Sequence, residues 1–241
     1  MKNIITTFFI LTCYCSYGQK SAYFPNLKKI YIDTAHKEFI FGYDAKSIKL
    51  LNIKCSRLPK ADYWYCGDDD PESITKLAQI HNAKIPDTLD ILFDTGPSDD
   101  FEFIIAKKSG RVIGSVNALE LYVMENNIIY TAGHTNNMFN KRRKFQLLPD
   151  TLLEIRQSFY YVGLKSKTTA ALTLYKAKTG NEVIASIPKD YDVEVLLCDP
   201  GTDNSEKFFL VKTEFGLVGW LRLKENHTYD TPIEGLRFFG D

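Results

Sequence analysis

The side chains best equipped for chemistry gather in one polar loop. His134, Asn136, Asn137, Arg142 and Arg143 lie in or just after the segment from Gly133 to Asn140. An imidazole, two amides and two guanidinium groups could together hold a carboxylate or a sugar, because amides donate and accept while guanidinium groups fork onto carboxylates. Loops carry binding residues more often than cores do, although an ordinary exposed connection would have the same composition. Cys55, followed by Ser56, is a second candidate, since covalent catalysis needs a nucleophile with a base in reach. Such a nucleophile usually opens a helix, whereas Cys55 ends an expected strand and Pro59 follows soon after. His36, His81, His134 and His227 are scattered, without a pair at metal-ligand spacing. Asp68-Asp69-Asp70 offers the clustered carboxylates that Ca²⁺ favours but lacks the spaced ligands and closing glutamate of an EF-hand loop. Helix capping and a solvated loop account for it, so neither a metal nor a cofactor is expected. Gly-rich phosphate loops and Gly-x-Ser-x-Gly are absent. Paired carboxylates for glycoside cleavage would meet only in the fold.

The N-terminus bounds where those groups would act. Lys2 precedes an apolar run from Ile4 to Leu11, and Ser16-Tyr17-Gly18 supplies small residues where a signal peptidase reads. Residues 1–18 are therefore expected to be a removed signal peptide, and the protein to be exported, periplasmic or extracellular. The residues before Cys13 and Cys15 fit a lipobox poorly, so lipoprotein anchoring is not expected. The apolar run is too short to span a bilayer, and no later stretch nears the roughly 20 apolar residues needed. Of 30 basic and 30 acidic residues, the leader takes one lysine and no acid. A near-neutral mature chain lacks the basic footprint that nucleic acid demands. Of the remaining cysteines, Cys55 and Cys66 could close a short disulfide loop in an oxidising compartment, leaving Cys198; alternatively all three are buried thiols.

The elements that must position the loop and its neighbours are mostly strands. Lys29 to Asp33, Phe39 to Tyr43, Ser47 to Ile53 and Asp62 to Tyr65 read as strands. One helix is expected next: Asp70 as N-cap, Pro71 in the first turn, Ile74, Leu77, Ala78 and His81 at helical spacing, and Asn82 at its end. From Leu89 the pattern returns to strands with hairpin turns, through Tyr160 to Leu164, which predicts an antiparallel β-rich domain over residues 19–166. The polar stretch Lys165 to Thr169 is the expected boundary.

Beyond it, Leu172 to Tyr175, Glu182 to Ile187, Asp192 to Leu197, Phe208 to Thr213 and Leu217 to Leu223 read as five short strands punctuated by turn residues. Gly216 is suited to the positive φ of a tight turn, and Gly219 suggests a neighbour too close for any side chain. Such a series predicts a small barrel over residues 167–225, followed by an arm, 226–241, that Ile233, Leu236, Phe238 and Phe239 could pin down. Val183-Ile184, Ile187, Val193-Glu194-Val195-Leu196, Phe209-Leu210-Val211-Lys212 and above all Gly216-Leu217-Val218-Gly219-Trp220 resemble a bacterial SH3 domain. The chain departs from that pattern at Asp190-Tyr191, where glycine is usual, and at Phe208-Phe209, where a tryptophan is common. Within the barrel, Tyr175, Tyr191, Phe215 and Trp220 could line an aromatic groove for a peptide or glycan, although Trp220 is expected to fill the core.

Taken together, the sequence predicts a mainly β, exported, non-enzymatic module with an N-terminal β-rich domain and an SH3-like barrel. Its expected partner is a peptide, glycan or protein of the envelope, and not nucleic acid. The rival reading is a cell-wall hydrolase with catalytic groups in the first domain, because bacterial SH3 domains often accompany cysteine peptidases that cut peptidoglycan.

Overall fold

The computed structural model describes residues 19–20, 23–33, 35–58, 72–82, 85–96, 100–201, 208–223 and 228–240. The expected leader, Cys66, the acidic run Asp68 to Asp70 and His227 lie outside them. The described chain is mainly β, arranged in three sheets. No helix among the described residues is long and apolar enough to cross a membrane.

The first sheet is laid down in two instalments. β1 (Gln19–Lys20), β2 (Lys28–Tyr31) and β3 (Ile40–Tyr43) pair antiparallel. The chain then leaves to build a complete five-stranded antiparallel meander: β4 (Ile48–Lys54), β5 (Ile74–Asn82), β6 (Ile85–Asp94), β7 (Glu102–Lys107) and β8 (Val112–Asn117). It returns as β9 (Glu120–Val123), which pairs parallel to β3, and continues through β10 (Ile128–Ala132), β11 (Arg143–Leu147) and β12 (Leu152–Glu154). A parallel pair needs a long crossover, and here the whole second sheet supplies it. The two sheets share one core: Phe41, Leu121 and Ile129 from the first pack with Leu77, Ile91, Phe103 and Ile105 from the second. Phe39, Phe93, Phe101 and Phe103 add a chain of ring contacts with centroids 4.5–5.2 Å apart.

Asp70 and Pro71 lie outside the described residues, and over Ile74–Asn82 the expected helix is a strand, the second of its sheet. A bulge explains the resemblance to helical spacing. Lys76 pairs with Leu92 and Ala78 with Ile91, so Leu77 is an extra residue that shifts the strand's phase. Leu77, Ala78 and Ile80 consequently reach the shared core, while Ile74 joins Cys55 and Leu92 in a separate cluster on the other face. On that second face Lys76 Nζ donates to Asp90 Oδ2 at 2.7 Å and Gln79 Nε2 to Asp90 Oδ1 at 3.0 Å, which compensates a buried charge pair.

The third sheet has the order β13 (Tyr160–Lys167), β16 (Asp192–Asp199), β17 (Phe208–Thr213), β18 (Val218–Arg222), β14 (Leu172–Tyr175), β15 (Val183–Ile187). All six strands contribute to a single core around Leu174, Val195, Phe209 and Val211, with β13 and β15 as the two edges. β13 therefore does not close the first sheet's series. The polar stretch expected to separate two units lies partly inside it, with Lys165, Ser166 and Lys167 paired to Glu194, Val193 and Asp192. Alternation accounts for this, since Tyr160 and Val162 are buried inward and the lysines face water. Gly216 takes φ +96° in the β17–β18 turn. A Cβ on Gly219 would meet Leu174 Cβ at 2.9 Å and the Tyr175 carbonyl at 3.1 Å.

The C-terminal arm ties the sheets together. Ile233 bridges Thr168, and Leu236 is wholly buried in the third sheet's core. Leu236→Ala should cost about 2–5 kcal/mol in chemical denaturation; a cost below about 0.5 kcal/mol would mean that the arm does not anchor the fold. Tyr160 Oη, on β13, donates to Glu154 Oε1 on β12 at 3.1 Å. Burial first, then the Glu154 charge and hydrogen bond, push this phenol up to about 12, against the opposing Arg143 charge. An unfolded tyrosine ionises near 10, so across that window the folded chain holds the extra proton and stability falls as pH rises. Tyr160→Phe should flatten the fall between pH 10 and 12; an unchanged slope would assign it to other groups.

Candidate functional site

Cross-strand pairing on the third sheet's outer face lines up six apolar side chains. Val183 is opposite Tyr175, Tyr175 opposite Trp220, Trp220 opposite Leu210, Leu210 opposite Leu197 and Leu197 opposite Tyr161. Directly opposed residues share a face, so the row crosses every strand, about 24 Å at the usual spacing between strands. Its ends are open to solvent, Val183 being 51% and Tyr161 57% exposed. Two register shifts create it. In β16 the inward residues are Val193, Val195 and then Cys198, because the shift between Val195 and Leu197 reverses the phase and turns Leu197 outward. In β15 a shift opposite Leu174 and Tyr175 does the same for Val183. Gly163, at φ +65°, sits in a third irregularity where the Tyr161 ring lies 2.6 Å from the position a Cβ would take.

Each aromatic of the row has a cation beside it. The Arg222 guanidinium lies 3.9 Å from the Tyr175 ring centroid, Lys178 Nζ 5.8 Å from Trp220 and the Arg142 guanidinium 6.0 Å from Tyr161. Such contacts hold positive charge over an apolar surface. The β14–β15 loop, 176–182, is fastened over this end of the row. Arg222 donates to the carbonyls of Ala177 (2.9 Å) and Gly180, and Lys178 makes a close ion pair with Asp199. Burial pushes the Asp199 carboxyl up. The hydrogen bonds from Lys178 and the Gly201 amide, with the Lys178 charge, outweigh it and hold the group below the usual carboxylate range. Beside Tyr175 an open groove of about 690 Å³ runs between Thr169 to Thr173, Leu221 to Leu223 and the arm at Asp230 to Pro232.

Of the four aromatics expected in one groove, the fold brings Tyr175 and Trp220 together. Trp220 is half-buried on the outer face and does not fill the core; its strand neighbours Gly219 and Leu221 point inward. Tyr191 is half-buried against the core at the start of β16, and Phe215 is 84% exposed at the β17–β18 turn. Among the described residues no ring contact joins either to the row. Val183, Leu197, Leu210 and Tyr161 were not expected there. Their signal would have been alternation, and the register shifts break it.

The polar loop serves mainly the arm. His134 Nε2 donates to the Arg237 carbonyl at 2.7 Å and its ring lies 5.9 Å from Phe239. The Asn136 amide donates to the Phe239 carbonyl at 2.6 Å, and the Phe239 amide to the Asn137 carbonyl at 3.1 Å. Asn137 Nδ2 returns to the Thr135 carbonyl at 2.8 Å. Met138 and Phe139, between them, are buried in the third sheet's core, with Phe139 edge-on to Phe209 at 6.1 Å. Arg143 donates to the Asn117 carbonyl at 2.6 Å, and Arg142 is exposed beside Tyr161. Cys55 is disulfide-bonded, while its expected partner Cys66 lies outside the described residues; Cys198 is buried and not in a disulfide.

Comparisons with protein-family models, with characterised proteins and with solved structures returned no match to this chain.

Because the folded Asp199 gives up its proton more readily than the unfolded one, its stabilising contribution is complete above the unfolded aspartate range, near 4. That contribution is lost as pH falls through the folded value. Asp199→Asn should be less stable than the parent at pH 7, with the gap closing below about pH 4. A gap that persists at pH 2 would show that the loop does not depend on this charge.

Proposed function

We propose that this chain is an exported, non-enzymatic recognition module that binds cell-wall peptidoglycan across the outer face of its C-terminal sheet. The observation that carries the reading is the row from Val183 to Tyr161, continuous across all six strands and flanked by Arg222, Lys178 and Arg142. Sugar rings present apolar C–H faces that stack on aromatic side chains, and stem peptides present carboxylates that pair with guanidinium and ammonium groups. A polymer carrying both matches a surface on which each ring has a cation beside it. The leader-like residues 1–18 and the resemblance of Gly216 to Trp220 to bacterial SH3 domains support the same reading, that of an SH3-like module working in the envelope. The rival hydrolase draws no support from Cys55, which as a disulfide offers no thiolate. Nor does it draw any from His134, whose Nε2 is occupied by the arm.

The purified protein should cosediment with insoluble peptidoglycan sacculi. Trp220→Ala and Tyr161→Ala should each lower the retained amount about two- to tenfold at an unchanged melting temperature. Absence of retention by the parent, or equal retention by all three proteins, would remove the reading.

A further inference from the structure

A second cavity lies on the outer face of the first sheet. Tyr122 of β9 and Tyr130 of β10 are directly opposed, and Phe24 closes over both, with ring centroids at 4.8 and 5.1 Å. Tyr122 can lie flat here because its other neighbour is Gly42, where a Cβ would meet the ring at 2.3 Å. One step along the strands, Ala132 faces Glu120, and this small side chain leaves a hollow of about 140 Å³ between the rings, Glu120, Asn140, Arg142 and Arg143. A volume near 150 Å³ is about that needed by a single benzene ring.

The polar groups at this hollow are of two kinds. Glu120 is half-buried and its Oε2 accepts from Tyr122 Oη at 2.5 Å, which fixes its orientation. Neither Glu120 nor Arg142 forms an ion pair among the described residues, although both line one small space. A half-buried carboxylate and a guanidinium that line one apolar-floored hollow, neither with a partner of opposite charge among the described residues, are complementary to a ligand that supplies the missing charges itself.

We infer that this cavity binds a small zwitterion with a single-ring or branched apolar side chain, an aromatic α-amino acid in chemical class. The side chain lies between Phe24, Tyr122 and Tyr130. The ammonium group donates to Glu120, and the carboxylate accepts from Arg142. The inference does not rest on the wall-binding reading: no strand of the third sheet contributes to the cavity, and Arg142 is the side chain that both surfaces share.

Titration calorimetry of the purified protein with L-phenylalanine tests it, and should give saturable one-to-one binding. N-acetyl-L-phenylalanine lacks the ammonium charge and L-phenylalaninamide the carboxylate, so each should bind about tenfold more weakly or worse. Ala132→Leu fills the hollow and should abolish binding with the circular dichroism spectrum unchanged. Glu120→Gln removes one charge without changing volume, and should reproduce the weakening seen with the acetylated ligand even if Ala132→Leu fails to fold. Absence of heat with phenylalanine, or equal binding of all three ligands, would overturn the assignment.

Discussion

The joint between the first and third sheets is made by two side chains that leave one core for another. Met138 and Phe139 belong in sequence to the connection between two strands of the first sheet, yet both are buried with the third. Burying side chains of this size contributes about 1.5–3 kcal/mol each, enough to fix a loop that would otherwise wander. With those two side chains seated, the flanking backbone is available on its outer side. The arm from Arg237 to Phe239 pairs with it there, through the carbonyls and amides of Asn136 and Asn137. A buried backbone group without a partner is costly, so loop and arm each satisfy what the other leaves open. The His134 imidazole and the backbone of Asn136 and Asn137, in the loop that looks most like a binding site, are accordingly part of a joint.

What remains free to meet a ligand is decided by strand phase. A regular strand alternates strictly, and a one-residue shift carries the next side chain to the opposite face. In β16 that shift moves Leu197 out of the core and into line with Leu210 and Trp220. In β5 the same device brings Leu77 and Ala78, adjacent in sequence, to one core. The bulges thus have opposite consequences, one completing a core and the other assembling an exposed row.

This is also the physical limit on what could be read from the chain. Gly216 and Gly219 were legible, because a positive φ and a missing Cβ are demands that a residue type answers by itself. The β character of the C-terminal third was legible for a similar reason, since aromatic and branched residues between turn formers need no knowledge of partners. Ile74, Leu77 and Ala78 misled, because a bulged strand and a helix both place apolar residues three and four apart. Trp220 faces outward where a core position was expected; its neighbours Gly219 and Leu221 already fill the inward positions, which only the register reveals. Beyond the pair Tyr175 and Trp220, the outer-face row was illegible because its six members come from six segments, and the shifts that align them leave no local mark.

One guanidinium borders both surfaces. Arg142 stands 6.0 Å from the Tyr161 ring at the end of the third sheet's row, and it also lines the hollow under Phe24 on the first sheet. It can do so because it immediately follows the joint: Lys141 donates its amide to the Gly133 carbonyl, closing the loop, and Gln157 Nε2 donates to the Arg142 carbonyl. Its backbone is therefore held from both sides while its long side chain keeps its rotamers. A cation–π contact at an exposed site is worth about 0.5–1 kcal/mol, whereas a charge-assisted hydrogen bond contributes about 1.5–3 kcal/mol. A carboxylate presented at either surface outweighs the ring. The position of this one side chain thus depends on what each face carries.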